Sequence, residues 1–339
     1  MRDTTPPGWQ IDGPASYLSE EGDMSDNRVY SYSAVLMGSP ILLKLYVHDE
    51  PLASRVFQLI KGYEDLFTVN RAQSQVMDIN HAAGRHPVTV SRPVYALIKC
   101  AKAASMVRDS AFNLAIGPLV KLWRIGFQGQ SVPAAQDIAA RLTLTRPQDV
   151  ILDDAAGSVY LARAGMEIDL GAIAKGYIAD RVRDYLRQQG VSAALINLGG
   201  NVHTLGEWSI GLKKPYSAAD ALIGSIAVAG QSVVTSGIYE RYFEQDGKRW
   251  HHILDPRSGY PLDNELESVT IISADSLDGD IWTTLIYGLG VEKGCAALRQ
   301  REDIEAIFVT KNRDVILSSQ RRFRFQLLDD GYRLTGCTA

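Results

Sequence analysis

"EIDLGAIAKGYIADRVRDYLRQQGVSAALINLGGN", residues 167–201, is the most regular part of the chain. Residues 167–170 read as the end of a strand, 172–188 as a helix and Gly190 as its stop. Residues 191–198 form a second strand that runs into Gly199-Gly200-Asn201. Repetition of such a unit would build a doubly wound sheet, and the flanks decide against it. Upstream, apolar β-branched runs at 29–32, 34–37 and 41–47 meet around Gly38-Ser39-Pro40, a hairpin signal. Asp49-Glu50-Pro51 opens a helix whose apolar face is Val56, Leu59, Ile60, Tyr63 and Phe67. A second helix starts after Ser91-Arg92-Pro93. Downstream come β-rich pieces at 208–213, 222–228 and 232–244, and a strand at 268–273. A helix at 278–289 ends at Gly290, a short one follows at 293–300, and 304–310 and 315–318 close a hairpin around Lys311-Asn312-Arg313. Strands and helices mix without steady alternation. This predicts an α+β fold with mixed or antiparallel sheets and packed helices.

The chain has 339 residues, enough for one large domain or two intimately packed ones. With 46% hydrophobic and 22% charged residues it lies far from the composition of disordered chains. A net charge of -4 advertises no basic surface for nucleic acid or an acidic membrane. Residues 1–28 are polar and acidic and are expected to be a disordered extension, with Met24 as a possible second start; 29–339 are expected to form the folded domain. Within it, 128–163 read as a peripheral lobe, a small helix plus a hairpin with Asp153-Asp154-Ala155-Ala156-Gly157 at its tip. Cys100, Cys295 and Cys337 are odd in number and far apart, the pattern of reduced thiols. With no apolar signal region and no long apolar run, the expected location is cytoplasmic, with no membrane span.

Nucleotide and protease signatures are absent: no GxGxxG at a strand–helix turn, no GxxxxGK[ST], no HExxH and no GxSxG. In "LDGDIWTTLIYGLG", Asp280 and Thr284 stand at i and i+4 on one helix face with Thr283 beside it. A carboxylate and a hydroxyl are hard ligands suited to Mg2+; an Asp favouring its own helix N-terminus fits the same spacing. Asp169 precedes Gly171 and a helix start, where backbone can approach an anion, and Lys175 adds a mobile positive charge. A capped helix with a solvated Lys is the other reading. His203, after Gly199-Gly200, reads as a turn or core histidine. "SAFNLAIGPLVKLW" says only helix and turn.

In this order the motifs resemble one family, the ApbE-type FAD:protein FMN transferases, from about Tyr30 to about Ala297. The resemblance lies in Met37-Gly38-Ser39, in residues 74–80 within "NRAQSQVMDIN", in "AFN…GPLVKLW", "IDLGAIAKGYIAD" and "NLGGN", and in "TSGIYERYF", "HILDPRSGYP" and "DIWTTLIYGLG". It implies an α+β, T-fold-related core over 29–339. It also implies FAD as substrate, Mg2+, and transfer of FMN to a Thr or Ser hydroxyl of an acceptor flavoprotein with release of AMP. The implied acceptor site is of the kind Asp-x-x-(Ser/Thr)-Gly-Ala-(Ser/Thr). Carried over by position, Asp280, Thr283, Thr284 and the Ala172 carbonyl are implied metal ligands. Met37, Asn70, Ala111, Phe112, Asn113, Asp169, Lys175, His252 and Leu254 are implied FAD contacts. The chain departs from the family at Asn113, usually Asp, at Asn70, often aromatic, and at Ser39, usually Thr.

"GKRWHHILDPRSGYPL" places His251 and His252 side by side, and on an extended segment they face opposite ways. In the family register His252 faces the site, where it is the candidate base for the acceptor hydroxyl, and Lys175 steadies the pyrophosphate. An unperturbed imidazole would give a rate that rises with pH around 6.5. The rival readings are an FAD pyrophosphatase giving FMN and AMP, and a non-catalytic flavin-binding protein.

Overall fold

The computed structural model describes residues 28–127, 129–218 and 221–337; the expectations for residues 1–27 lie outside them. Strands β1 (Tyr30–Leu36) and β2 (Ser39–Leu45) pair from Leu36↔Ser39 to Tyr30↔Leu45. Their turn is Met37-Gly38, both at positive φ (53° and 66°), the geometry that matches strand twist in a tight hairpin. The expected hairpin is therefore present, with Ser39 and Pro40 already in its second strand.

Helix α1 (Glu50–Phe67) starts where expected: Asp49 accepts from Leu52 N–H at 2.8 Å. Helix α2 (Gln75–His81) was not expected; its signal is Ser74, which accepts from Met77 N–H at 3.0 Å. Then come β3 (Val88–Thr89), α3 (Arg92–Ser105) and α4 (Gly117–Trp123). Residues 129–163 contain α5 (Ala135–Leu142) and the hairpin of β4 (Val150–Asp153) and β5 (Ser158–Leu161), which β3 joins as a three-stranded sheet.

Residues 167–170 form no strand, a correction with a clear cause. Asn80 Nδ2 donates to Ile168 O at 3.0 Å and its Oδ1 accepts from Ile168 N–H at 2.8 Å. Asp169 N–H donates to Leu114 O at 2.9 Å. One side chain and one loop carbonyl thus take the bonds that a neighbouring strand would make. Helix α6 (Ala174–Gln188) begins two residues later than expected, after a turn closed by Gly171 N–H on Asp169 Oδ1 (2.7 Å).

The rest of the chain builds sheets and one long helix. Strands β6 (Ala194–Leu198), β7 (Asn201–Leu205), β8 (Glu207–Lys213), β9 (Leu222–Ala229) and β10 (Ser232–Gly237) are followed by the hairpin β11 (Tyr242–Gln245) and β12 (Lys248–His251). After β13 (Leu266–Ser273), α7 (Ser276–Arg299) bends at Gly290, whose φ of 75° is non-helical; this is the expected stop and restart. The closing hairpin of β14 (Ile304–Thr310) and β15 (Asp314–Leu317) is present. Two strands beyond it, β16 (Arg324–Leu327) and β17 (Arg333–Gly336), were not expected.

One nine-stranded sheet runs in the order β1-β2-β6-β7-β10-β13-β14-β15-β17, and only β15/β17 is parallel among its pairs. The α+β expectation holds. Alternate residues feed opposite cores: in β14, Ile307 and Val309 pack toward the β16-β9-β8 sheet, and Ala306 and Phe308 toward α7. Helices α1, α3 and α6 share a third core with β2 and β6. Cys295 and Cys337 form a disulfide with Cα atoms 5.9 Å apart, so the expectation of three reduced thiols fails at two positions. Their separation of 42 residues hid a contact that β17 creates by returning the chain beside β15. Among the described residues no helix is long and apolar enough to cross a membrane.

Candidate active site

The site grows from the crossing of α6 over α7 beside the β6–β7 turn. Gly176 lies where a Cβ would come 2.3 Å from Ser276 O and 2.7 Å from Asp280 Oδ2, so only glycine permits this approach. Its N–H belongs to the first turn of α6, where it has no partner within the helix; it donates to Asp280 Oδ2 at 2.5 Å. Asn201, at the start of β7, donates Nδ2 to Asp280 Oδ1 at 2.9 Å. Burial nonetheless pushes the Asp280 carboxyl up to about 7, with the Asn201 bond pulling the other way. Lys175 Nζ has two long contacts, Ser39 Oγ and Gly199 O, each at 3.3 Å. Burial lowers its pKa, opposed by the charge of Asp280. Gly199 and Gly200 turn at φ of 67° and 97°, which keeps the backbone close to Lys175.

The opposite wall comes from the β11–β12 hairpin. Arg241 is exposed just before β11, and its charge acts on Asp169, Lys175 and His252. The two histidines have different partners. His251 is buried at the end of β12, with Nε2 2.8 Å from Leu262 O and Nδ1 3.3 Å from Ile253 N. Its tautomer is therefore Nε2–H, and both ring nitrogens are satisfied. His252 points the other way, with Nδ1 3.2 Å from Arg241 O. That bond makes Nδ1 the protonated nitrogen and leaves the Nε2 lone pair free. Burial and then the charge of Arg241 push His252 down to about 3, so it is neutral well below pH 6.5.

The remaining expected residues fall into two groups. Asp169 and exposed Ala172 flank the turn into α6, and half-buried Thr284 lies one turn past Asp280. Thr283 is buried and donates Oγ1 to Asp280 O at 3.0 Å. Met37, at the hairpin turn, lies just before Gly38 and the start of β2, and burial raises the Asp169 carboxyl. The second group, Asn70 apart, is occupied within the protein. Asn113 donates Nδ2 to Thr145 O at 2.7 Å and accepts from Ala115 N–H at 2.8 Å. Phe112 belongs to the helical core, Ala111 packs where Gly288 has no Cβ, and Leu254 packs with Leu119 and Trp123. Asn70 is exposed in the turn after α1, its N–H on Thr68 Oγ1. Sequence reasoning assigned no role to Asn201 or Arg241, although "NLGGN" and "TSGIYERYF" contain them. A cavity of about 640 Å³ lies elsewhere, between β1 and α1, and none of the expected site residues lines it.

The donors around Asp280 fit Mg2+. They are hard oxygens: the Asp280 carboxylate, the Thr283 and Thr284 hydroxyls and the Ala172 carbonyl. Among the described residues no three acidic, His or Cys side chains cluster as a complete cage.

A sequence model of the ApbE family matches residues 37–308, most of the chain. The chain belongs to the ApbE family. An FAD:protein FMN transferase of Klebsiella pneumoniae (strain 342) is 83% identical over 316 residues, 93% of this chain and 100% of that one. Another, from Treponema pallidum (strain Nichols), is 36% identical, covering 89% of this chain and 90% of its own length. Among solved structures, the ApbE protein of Thermotoga maritima superposes with a TM-score of 0.76 at 31% identity, over 84% of this chain and 95% of that one. The apo flavinyl transferase ApbE of Pseudomonas stutzeri gives 0.73 at 29%, over 90% and 96%. The ApbE resemblance read from the motifs is thus established at the level of family and fold.

Proposed function

We propose that the protein is a transferase that moves the FMN half of FAD onto a Thr or Ser hydroxyl of an acceptor flavoprotein and releases AMP. The observation that carries the reading is the closeness of Lys175 to Asp280, Arg241 and His252, whose charges act on one another beside the Gly176–Asp280 contact. The names of the relatives supply the substrate class. In the proposed step the acceptor oxygen attacks the phosphorus of the FMN phosphate. The bond from that phosphorus to the bridging oxygen breaks, AMP leaves, and the hydroxyl proton passes to His252 Nε2. Lys175 holds pyrophosphate oxygens, and Arg241 holds negative charge at the rim. Asp280, with Thr283, Thr284 and the Ala172 carbonyl, would hold Mg2+, which when bound neutralises pyrophosphate charge.

Asp169 and Met37 would border the flavin, and Ala111, Phe112 and Asn113 would line it from their loop. Residues 29–339 act in this proposal as one flavin transferase domain. The proposed acceptor carries an Asp-x-x-(Ser/Thr)-Gly-Ala-(Ser/Thr)-like segment. A cytoplasmic acceptor belongs to the proposal; the Cys295–Cys337 bond weighs against it, and thiol trapping in cells decides.

The test is incubation with FAD, Mg2+ and a domain bearing that segment. An acceptor heavier by one FMN, with one AMP formed per transfer, supports the reading. Free FMN and AMP regardless of acceptor would mean a pyrophosphatase, and intact FAD a carrier.

A further inference from the structure

Asp280 is one half of a reciprocal arrangement. One helical turn from it, the same three elements meet again. Asp180, a turn after Gly176 on α6, is 4% exposed. It accepts from Ser276 N–H at 2.8 Å and from Leu277 N–H at 3.0 Å. These are the first two residues of α7, whose preceding residue Asp275 makes no side-chain cap. His203, two residues after Asn201 on the same face of β7, has Nδ1 3.1 Å from Ser276 Oγ, which is 2.7 Å from Ser232 Oγ. Burial holds His203 near 3, so this is a bond of a neutral ring and not an ion pair with Asp180.

Two rungs result, with opposite polarity. In one, the carboxylate of α7 (Asp280) takes a free first-turn N–H of α6; in the other, the carboxylate of α6 (Asp180) takes free first-turn N–H groups of α7. Gly176 pairs with Asp280 and Asp180 with the N-terminus of α7, so each helix caps the other, beside Arg183 of α6, whose Nη1 reaches Asp180 Oδ1 (3.3 Å), Asp275 Oδ1 (2.5 Å) and Ala274 O (3.2 Å). We propose that Asp180 is a positioning residue: by capping α7 from α6 it sets the crossing at which Asp280 faces Gly176 and Lys175. The inference rests on the flavin-transfer reading for its chemistry, and on the hydrogen bonds alone for its geometry. Displacement of about 1 Å at such a site can cost about 10²-fold in rate.

The test uses the full chain with Asp180→Ala, Asp180→Asn and a control, Val315→Ala, in the core facing the β8–β9 sheet. Amide hydrogen exchange at Gly176, measured without flavin, reports the crossing directly. We expect Asp180→Ala to speed that exchange about 10-fold or more and to lower kcat by about 10²-fold, with a smaller change in FAD half-saturation. Asp180→Asn keeps one acceptor and should fall between. Val315→Ala should lower Tm while leaving Gly176 exchange and kcat unchanged. The proposal is overturned if the Asp180 variants keep the parent's Gly176 exchange, or if Val315→Ala reproduces their kcat loss at equal Tm. A parent that transfers no FMN refutes the proposed function alone, since the exchange measurement still decides the positioning role.

Discussion

The loop at residues 110–115 and the α6–α7 crossing both carry expected ligands, and they treat those side chains in opposite ways. In the loop, Asn113 gives its amide to Thr145 O and takes Ala115 N–H, and Phe112 N–H donates to Ser110 Oγ at 3.1 Å. At the crossing, Lys175 has only contacts of 3.3 Å, and burial drives Lys175 and Asp280 toward their neutral forms. A polar group whose partners are all internal holds the protein's shape. A charged group kept desolvated, as Lys175 is with its long contacts and Asp280 is despite its two donors, retains affinity for a ligand.

The sharpest way to break the contrast is a pair of alanines. Asp280→Ala should reduce transfer about 10³-fold, and EDTA should do the same to the parent. Asn113→Ala should stay within about threefold of the parent rate while losing about 1–2 kcal/mol of stability. Equal losses of rate would abolish the distinction between the regions.

The histidine pair sharpens it within two adjacent residues. His252→Ala should slow transfer by about 10²-fold, the low end for a positioned base, because a ring with a pKa near 3 has little driving force to take a proton. Between pH 6 and 8 the parent should show no limb that this change removes; a limb near 6.5 that vanished in His252→Ala would contradict the depressed pKa. Lys175→Met, which keeps apolar bulk, should weaken FAD binding by about 1.5–3 kcal/mol in a fluorescence titration. Unchanged affinity would make Lys175 a solvated helix residue.

What was legible in the sequence follows from the range of the signals. Helices α1, α3 and α6 and the break at Gly290 rest on caps, periodicity and glycine, all local. Residues 167–170 looked like a strand because their apolar pattern is that of one, and only a distant side chain, Asn80, shows why no ladder forms. The Cys295–Cys337 bond and the capping of α7 by Asp180 depend on contacts across 42 residues and from another helix, which spacing does not encode. At the site, residue type pointed to Asp280 and Lys175. Asn201 and Arg241 were present in recognised motifs but carried no signal of their own, since an Asn after two glycines and an Arg before a strand are ordinary.

His251 gives the smallest and cleanest test, because it is the satisfied member of its pair. Burial holds its ring near 4, below the 6.5 of an unfolded chain. As pH falls, the unfolded chain takes up the proton first. The stability tied to the neutral ring is therefore complete above about 6.5 and is lost between 6.5 and 4, at about 1.4 kcal/mol per pH unit for one proton. His251→Gln can still donate to Leu262 O but gives up the Nδ1 acceptor, the contact with Tyr287 and the titration. At pH 8 it should be about 1 kcal/mol less stable than the parent in denaturant unfolding. Its stability should then decline less steeply with acid, so that the two curves converge between pH 6 and 5. Parallel curves over that range would mean that the His251 ring titrates in the folded protein much as it does in the unfolded chain, and that its internal partners do not hold it neutral.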